Sequence, residues 1–475
     1  MNNTEHVTID DLSELRELVR TSPEAGSLRE IGLREVVSGS GAVTTLPQIL
    51  LRLGIDASAR ITVFSDLVPK HYHDTDVLDV VLDAIRSSNK VESVFVSSEH
   101  SDSTVLADEA TVASAIDAVK QTTPQALVSV GSGTVVDIGK VIASELSLTH
   151  VVVQTAASVN GFADDQSVLL ISGVKRTTPS GWPDALIVDP DVVAHAPLPM
   201  TRSGLGDQLS MFSASADWYL SDAVGFDTSF SPTLVTMMRQ NLDQLLKVSG
   251  DLGRGEPDAV SDLVSCLTRG GIAMGVAGRT APSSGTEHLI SHLLEMHADA
   301  FHVPSASHGS QVGVASVAAA IVWRRVRERL LSGDATVGAE NVASRVDVLS
   351  AFAHLDASGA LGEECWSAYE RKATWIHLHL DDIRQVIREW PAHDHDVDGF
   401  LKPAAFVASL LRDAQAPVNF SQLTPAPDPE VVKWALTKGH LMRNRFCVLD
   451  LAVLIGAWNT DDVTAVLVEL EELAT

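Results

Sequence analysis

The chain has 475 residues, 45% hydrophobic and 20% charged, with 34 Lys and Arg against 62 Asp and Glu for a formal net charge of −28. That is the composition of a globular protein of two or three domains. The acidic balance argues against nucleic-acid binding and against an anionic-membrane surface, and leaves an anionic substrate only a local basic pocket. Cys266, Cys365 and Cys447 lie far apart in sequence. They make neither a disulfide framework nor a CxxC knuckle, which points to a reducing cytoplasm. The opening MNNTEHVTIDDLSELRELV lacks a basic stretch followed by an apolar run and reads as a short acidic lead-in helix. No apolar run is long enough for membrane insertion.

Over residues 1–195 short β-rich runs alternate with helix formers. VVSGSGAV, RITVFSD, VESVFVSS, ALVSVGSG, THVVVQTAAS and DALIVDP read as strands, with TVASAIDAVKQT as a helix between two of them. Such alternation, with strands apolar throughout, predicts a mostly parallel sheet covered on both faces. From residue 196 strand signals nearly vanish. Helices are expected over 206–220, 233–246, 259–277, 286–296, 310–331, 429–441 and 460–472, so 196–475 reads as an all-helical domain. The join, APLPMTRSG, is rich in Pro and Gly. PAHDHDVD, residues 391–398, reads as a solvated loop. A cleft between an α/β and a helical domain is a natural place for a ligand.

Two constellations carry chemistry. Gly131-Ser132-Gly133-Thr134 follows the strand ALVSV directly and opens a helix that contains Asp137 and Lys140. Small residues there let backbone N–H groups approach a phosphate. The pattern is neither Gly-x-Gly-x-x-Gly nor a Walker A loop, and a turn built for packing alone would look similar. Gly39-Ser40-Gly41 is a weaker copy. Asp66, at the end of a strand, suits a ribose hydroxyl or, more plainly, a helix cap.

The second constellation is rich in histidine. His288 and His292 are four apart, on one helix face, with Glu295 near the same stripe. His308 stands just before the next helix, and Asp207, at the mouth of the first helix of the all-helical part, is the candidate carboxylate. Two imidazoles and a carboxylate leave an open coordination position, as in a catalytic metal site. The plainer alternative is a set of core histidines satisfied by hydrogen bonds.

The segments VGSGTVVDIGK, QTAASVNGF, GVKRTTPSGWPDALIVD, SGLGDQL, SSGTEHLISHLLEM, HGSQVGVA and HLMRNRFCVLDL, over roughly 35–455, resemble the iron-containing alcohol dehydrogenase superfamily. That superfamily also holds glycerol dehydrogenase and dehydroquinate synthase, and the resemblance is greatest to the sn-glycerol-1-phosphate dehydrogenases. It implies an α/β dinucleotide-binding domain (1–195), a helical metal and substrate domain (196–475), and an active site between them. It places metal ligands on Asp207, His288 and His308, and the nucleotide loop on Gly131, Ser132, Gly133, Thr134, Asp137 and Lys140. Asp66 falls near the adenine ribose, Thr155 and Ser158 on the nicotinamide side, and His292 among the active-site residues as a proton relay.

One departure concerns the substrate. The family writes Ser-x-Asp-Gly where this chain has Ser158-Val159-Asn160-Gly161. Asn160 can still orient a hydroxyl through its amide, and Asp164 and Asp165 stand close by in sequence to replace the charge. The region around 330–400 looks like extra or diverged helical material. The implied reaction is hydride transfer between NAD or NADP and a ketone or secondary alcohol, on a divalent Zn, Fe or Ni ion. Asp66 favours NAD. The substrate is a small phosphorylated compound or polyol, in the first case dihydroxyacetone phosphate and sn-glycerol 1-phosphate. Lys175, Arg176, Arg279, His440, Arg443 and Arg445 are the candidate phosphate donors. A polyol or alcohol dehydrogenase, a sugar-phosphate cyclase and a catalytically silent nucleotide-binding or scaffolding protein are the alternatives. A cytoplasmic homo-oligomer completes the expectation.

Overall fold

The computed structural model describes residues 9–97, 105–240 and 242–475. Part of the expected lead-in segment and the end of VESVFVSS lie outside these residues. The described part of the lead-in is the helix Ile9–Thr21.

Ten strands are present among the described residues: β1 (Glu35–Ser38), β2 (Arg60–Asp66), β3 (His71–Tyr72), β4 (Thr75–Asp76), β5 (Lys90–Val96), β6 (Ala126–Gly131), β7 (Thr149–Gln154), β8 (Gln166–Ile171), β9 (Val174–Pro179) and β10 (Ala185–Val188). Six form one sheet in the order β1-β10-β7-β6-β2-β5, and every pairing is parallel. β3–β4 and β8–β9 are separate two-stranded ribbons.

Alternation along the central strands divides the core in two. Val63, Val128 and Val130 face one way, against Leu46, Ile49, Val77 and Val81. Phe64 and Leu127 face the other, against Val112, Val119, Val135 and Ile138. Both faces of the sheet are thus dry, which accounts for strands that are apolar throughout. The order also creates a switch point. From β2 the chain passes to β5 on one side, whereas from β6 it passes to β7 on the other. Ser65 is in register with Val130, so Asp66 and Gly131 end neighbouring strands at the switch, where open α/β sheets take their ligands.

The second half is helical, with long helices over Pro257–Ala277, Thr286–Phe301, His308–Leu331 and Ala360–Leu378. Element type changes near residue 190, but compactness divides the chain along another line. One unit holds the sheet residues to Ile171, Lys175–Gly204 and Pro232–Thr280; the second holds Ser172–Val174, Leu205–Ser231 and Ala281–Thr475. Among the described residues no helix is long and apolar enough to cross a membrane.

Three local expectations need correction. Residues 233–246 hold two helices, Pro232–Arg239 and Leu242–Lys247, rather than one. Residues 206–220 are not one helix: Leu198–Leu209 and Met211–Ala223 are separate. At the break the Ser210 hydroxyl lies 2.6 Å from the Asp207 carbonyl oxygen and 2.9 Å from that of Ser283, with one proton to share between them. Residues 391–398 are not a loop but part of the helix Trp390–Phe400. Pro391 stands in its first turn, where a missing N–H costs nothing. Asp394 takes a two-pronged bond from Arg327 at 2.7 and 2.9 Å, and Asp398 pairs with the same guanidinium. The acidic run that suggested solvent is held on a basic partner.

Candidate metal centre and nucleotide turn

Asp207 comes from the end of the helix Leu198–Leu209, His288 from the first turn of Thr286–Phe301, and His308 opens His308–Leu331. Their approach depends on glycine. A Cβ on Gly206 would overlap the Gly309 carbonyl oxygen, and one on Gly313 would lie 2.8 Å from the Gly206 Cα. Backbone therefore packs on backbone one residue from Asp207 and one from His308.

His288 Nε2 lies 3.4 Å and His308 Nε2 3.9 Å from Asp207 Oδ1. One donor atom from each of the three residues lies within 4.8 Å of the others. Asp207 and His288 are buried and His308 half-buried. Both imidazoles are backed by a carboxylate on the far nitrogen. His288 Nδ1 is 3.0 Å from Glu287 Oε1, and His308 Nδ1 is 3.3 Å from the Glu295 carboxylate. Each Nε2 is thereby turned toward Asp207, the arrangement by which carboxylates set the orientation of metal-binding histidines. Sequence spacing pointed to Glu295 but not to Glu287, whose role comes from its first-turn position.

Glu287 is itself fixed, accepting from Ser213 Oγ at 2.6 Å and from the Gly285 N–H at 2.5 Å. Burial alone would raise its carboxyl, but His288, Ser213 and that N–H outweigh it and hold it below the usual range. Burial would likewise depress His288, yet Asp207 and Glu287 raise it to about 9. A metal at His288 would have to displace that proton, drawn in by the same carboxylates. The donor set, two imidazole nitrogens and one carboxylate, fits a divalent metal and is one ligand short of a tetrahedral shell.

His292 joins this cluster. Its ring stacks 5.4 Å from that of His308 and lies 6.0 Å from that of His288. His292, Glu295 and His308 form a second convergent group of donors. The Arg443 Nη2 donates to His292 Nδ1 at 2.9 Å. A guanidinium only donates, so a neutral His292 carries its proton on Nε2. Of the other candidate phosphate donors in this unit, Arg445 turns to Ser284, donating to its carbonyl and, at 2.8 Å, to its hydroxyl. His440 is buried, which together with nearby Lys372 keeps its imidazole well below the usual range.

The nucleotide candidates belong to the first unit. Gly131 ends β6 and Gly133 begins the helix Gly133–Leu146, with Ser132 as its extended cap. A Cβ on Gly131 would lie 2.5 Å from the Val135 Cβ, so the turn is tight because a side chain is missing. Ser132 makes no side-chain cap bond. The Thr155 N–H donates to the Gly131 carbonyl at 3.2 Å and the Ser158 carbonyl accepts from Ser203 Oγ. The Asn160 backbone packs against Gly271. Asp66 Oδ1 accepts from the Val68 N–H at 3.0 Å and from Lys70 Nζ at 2.5 Å.

Lys140 and Asp137, which the resemblance places in the nucleotide loop, belong to a buried ionic cluster. Lys140 is fully buried. Its ammonium donates to the Gly161 carbonyl at 2.9 Å, to Asp164 at 2.6 Å and to the Gln166 carbonyl, and lies 3.2 Å from Asp137. Its donors are spent on closing the segment 161–166. Burial pushes Asp137 up to about 6 against the pull of Lys140.

Comparison with known proteins accords with this geometry. The family profile described as iron-containing alcohol dehydrogenase matches residues 37–197. A protein of Haloquadratum walsbyi named glycerol-1-phosphate dehydrogenase (NAD(P)+) is 31% identical over 271 residues, 55% of this chain and 74% of that protein. The chain belongs to the iron-containing alcohol dehydrogenase superfamily. As a member it is a metal-dependent, NAD(P)-linked oxidoreductase. A protein of the same name from Natronomonas pharaonis is 29% identical over 318 residues, 65% of this chain and 84% of the relative. The fold is also that of a probable glycerol dehydrogenase from Sinorhizobium meliloti, with a TM-score of 0.57 over 94% of this chain and 99% of the other at 14% identity.

Proposed function

We propose that the protein interconverts dihydroxyacetone phosphate and sn-glycerol 1-phosphate with NAD or NADP. The observation that carries this reading is the convergence of Asp207, His288 and His308 beside a His292 that bears an arginine. The names of the Haloquadratum and Natronomonas relatives support the same substrate.

Asp207, His288 and His308 would hold a Zn, Fe or Ni ion, which when bound supplies Lewis-acid polarisation of the substrate oxygen. Glu287 and Glu295 keep both imidazoles aimed. His292, protonated on Nε2, would donate from that nitrogen toward a substrate oxygen, and Arg443 behind it adds positive charge suited to a phosphorylated substrate. Gly131, Ser132, Gly133 and Thr134 would receive the dinucleotide phosphates on backbone N–H groups, with Asp66 at the ribose and Thr155 and Ser158 on the nicotinamide side. In this reading Asn160 orients a substrate hydroxyl. The three cysteines, all buried and none in a disulfide, support a reducing cytoplasm as the place of work.

The test is NAD(P)H oxidation with dihydroxyacetone phosphate beside unphosphorylated dihydroxyacetone, on enzyme reloaded separately with Zn, Fe and Ni. Turnover that requires the phosphate is expected. Turnover with the uncharged ketone alone would make the protein a polyol dehydrogenase. Phosphate release without net NAD(P)H change on a sugar phosphate would make it a cyclase.

A further inference from the structure

Arg443 meets His292 at 2.9 Å, yet its own segment has little regular structure to hold it. Gly439–Leu441 is a single 3-10 turn, and the next helix starts only at Val448. The restraint comes from elsewhere in the sequence. Lys372, on the helix Ala360–Leu378, has a side chain that is 0% exposed. Its ammonium donates to the His440 carbonyl at 2.6 Å and to the Arg445 carbonyl at 2.8 Å, and pairs with Asp450 at 2.7 Å. Those two carbonyls lie on either side of Arg443.

An ammonium has three N–H donors, and these three acceptors consume them. Asp450 in turn accepts from the Cys447 N–H at 3.0 Å, fixing the start of the helix Val448–Leu454. Burying such a pair is costly and is weak evidence for stability, so a role in specifying one local conformation is the more economical account. We propose that Lys372 is a positioning residue that clamps the segment 440–445 so that the Arg443 guanidinium stays on His292 Nδ1. The functional consequence rests on the reading of the histidine cluster as the reaction centre.

The test uses Lys372→Met and the charge-free pair Lys372→Met with Asp450→Asn. The second variant removes the unpaired buried carboxylate and preserves the capping acceptor, so it separates positioning from folding. In the zinc-loaded protein, nitrogen-15 spectra of the histidine side chains should show His292 with its proton on Nε2. That signature should be lost in the paired variant, as in Arg443→Ala, and its retention overturns the proposal. In kinetics, the folded paired variant should lose about tenfold in kcat/KM, a size typical of coupled neighbours, with no further loss on adding Arg443→Ala. Independent, multiplying losses overturn it. If the wild type turns over no carbonyl substrate, the functional reading fails, and the spectra still decide the clamp.

Discussion

Glu287 Oε1 and His288 Nδ1 are neighbours in sequence and lie 3.0 Å apart, with Nε2 of the same ring turned to Asp207. One residue thus aims the next. Glu287→Gln should weaken zinc or cobalt binding about tenfold and Glu287→Ala toward about a hundredfold, the range for partners behind a metal ligand. Competition against a chelator measures it, and equal affinity in all three proteins contradicts the assignment.

Gly206→Ala should separate the two helix backbones that meet at Gly309 and Gly313. Overpacking of that kind costs about 1–3 kcal/mol. Because Asp207 is the next residue, metal content should fall further than a distant substitution of equal thermal cost would cause. Metal analysis beside a melting curve distinguishes the two.

Lys70 is expected to govern cofactor choice. It neutralises Asp66 at the switch point, and this cation tempers the preference for NAD that the carboxylate alone would give. Lys70→Ala should lower kcat/KM with NADP relative to NAD about tenfold, the value of one charged hydrogen bond. An unchanged ratio removes Lys70 from the specificity set.

His150 sets part of the acid limit of stability. It is buried with Nε2 2.8 Å from Ser129 Oγ, and burial, with a contribution from Lys140, depresses it to about 3. The unfolded chain takes up this proton below about pH 6.5, whereas the folded chain refuses it. The stability it contributes is complete above that pH and is lost as pH falls toward 3, by about 2 kcal/mol at pH 5. His150→Gln should flatten this limb in denaturant titrations at stepped pH.

The parallel sheet, the turn at Gly131 and the grouping of Asp207, His288 and His308 were legible because each rests on local pattern or on motif spacing. What escaped depends on partners brought from afar. Lys140 stands in the nucleotide motif, but its duty follows from how 161–166 folds over it. The acidic stretch 391–398 carries composition that suits solvent, and only Arg327, more than sixty residues earlier, makes it a helix against protein. Lys372 gave no signal at all, since nothing in its neighbourhood announces two carbonyls seventy residues downstream.

The helix that begins with His308 runs 24 residues to Leu331. Were it to sway about the glycine contact, it would act as an unequal lever. Gly313 lies about 7 Å along the axis from His308 and about 27 Å from Leu331. A sway of about 1 Å at the outer end therefore reaches the ligand as about 0.3 Å, close to the tolerance of a metal–ligand bond. Exposed positions at the outer end, such as Leu331, can change while the coordination geometry holds, whereas Ile321, Trp323 and Val326 are tied into the core. Evolution of the surface near Leu331 is mechanically cheap, whereas the four residues between His308 and Gly313 have no such slack.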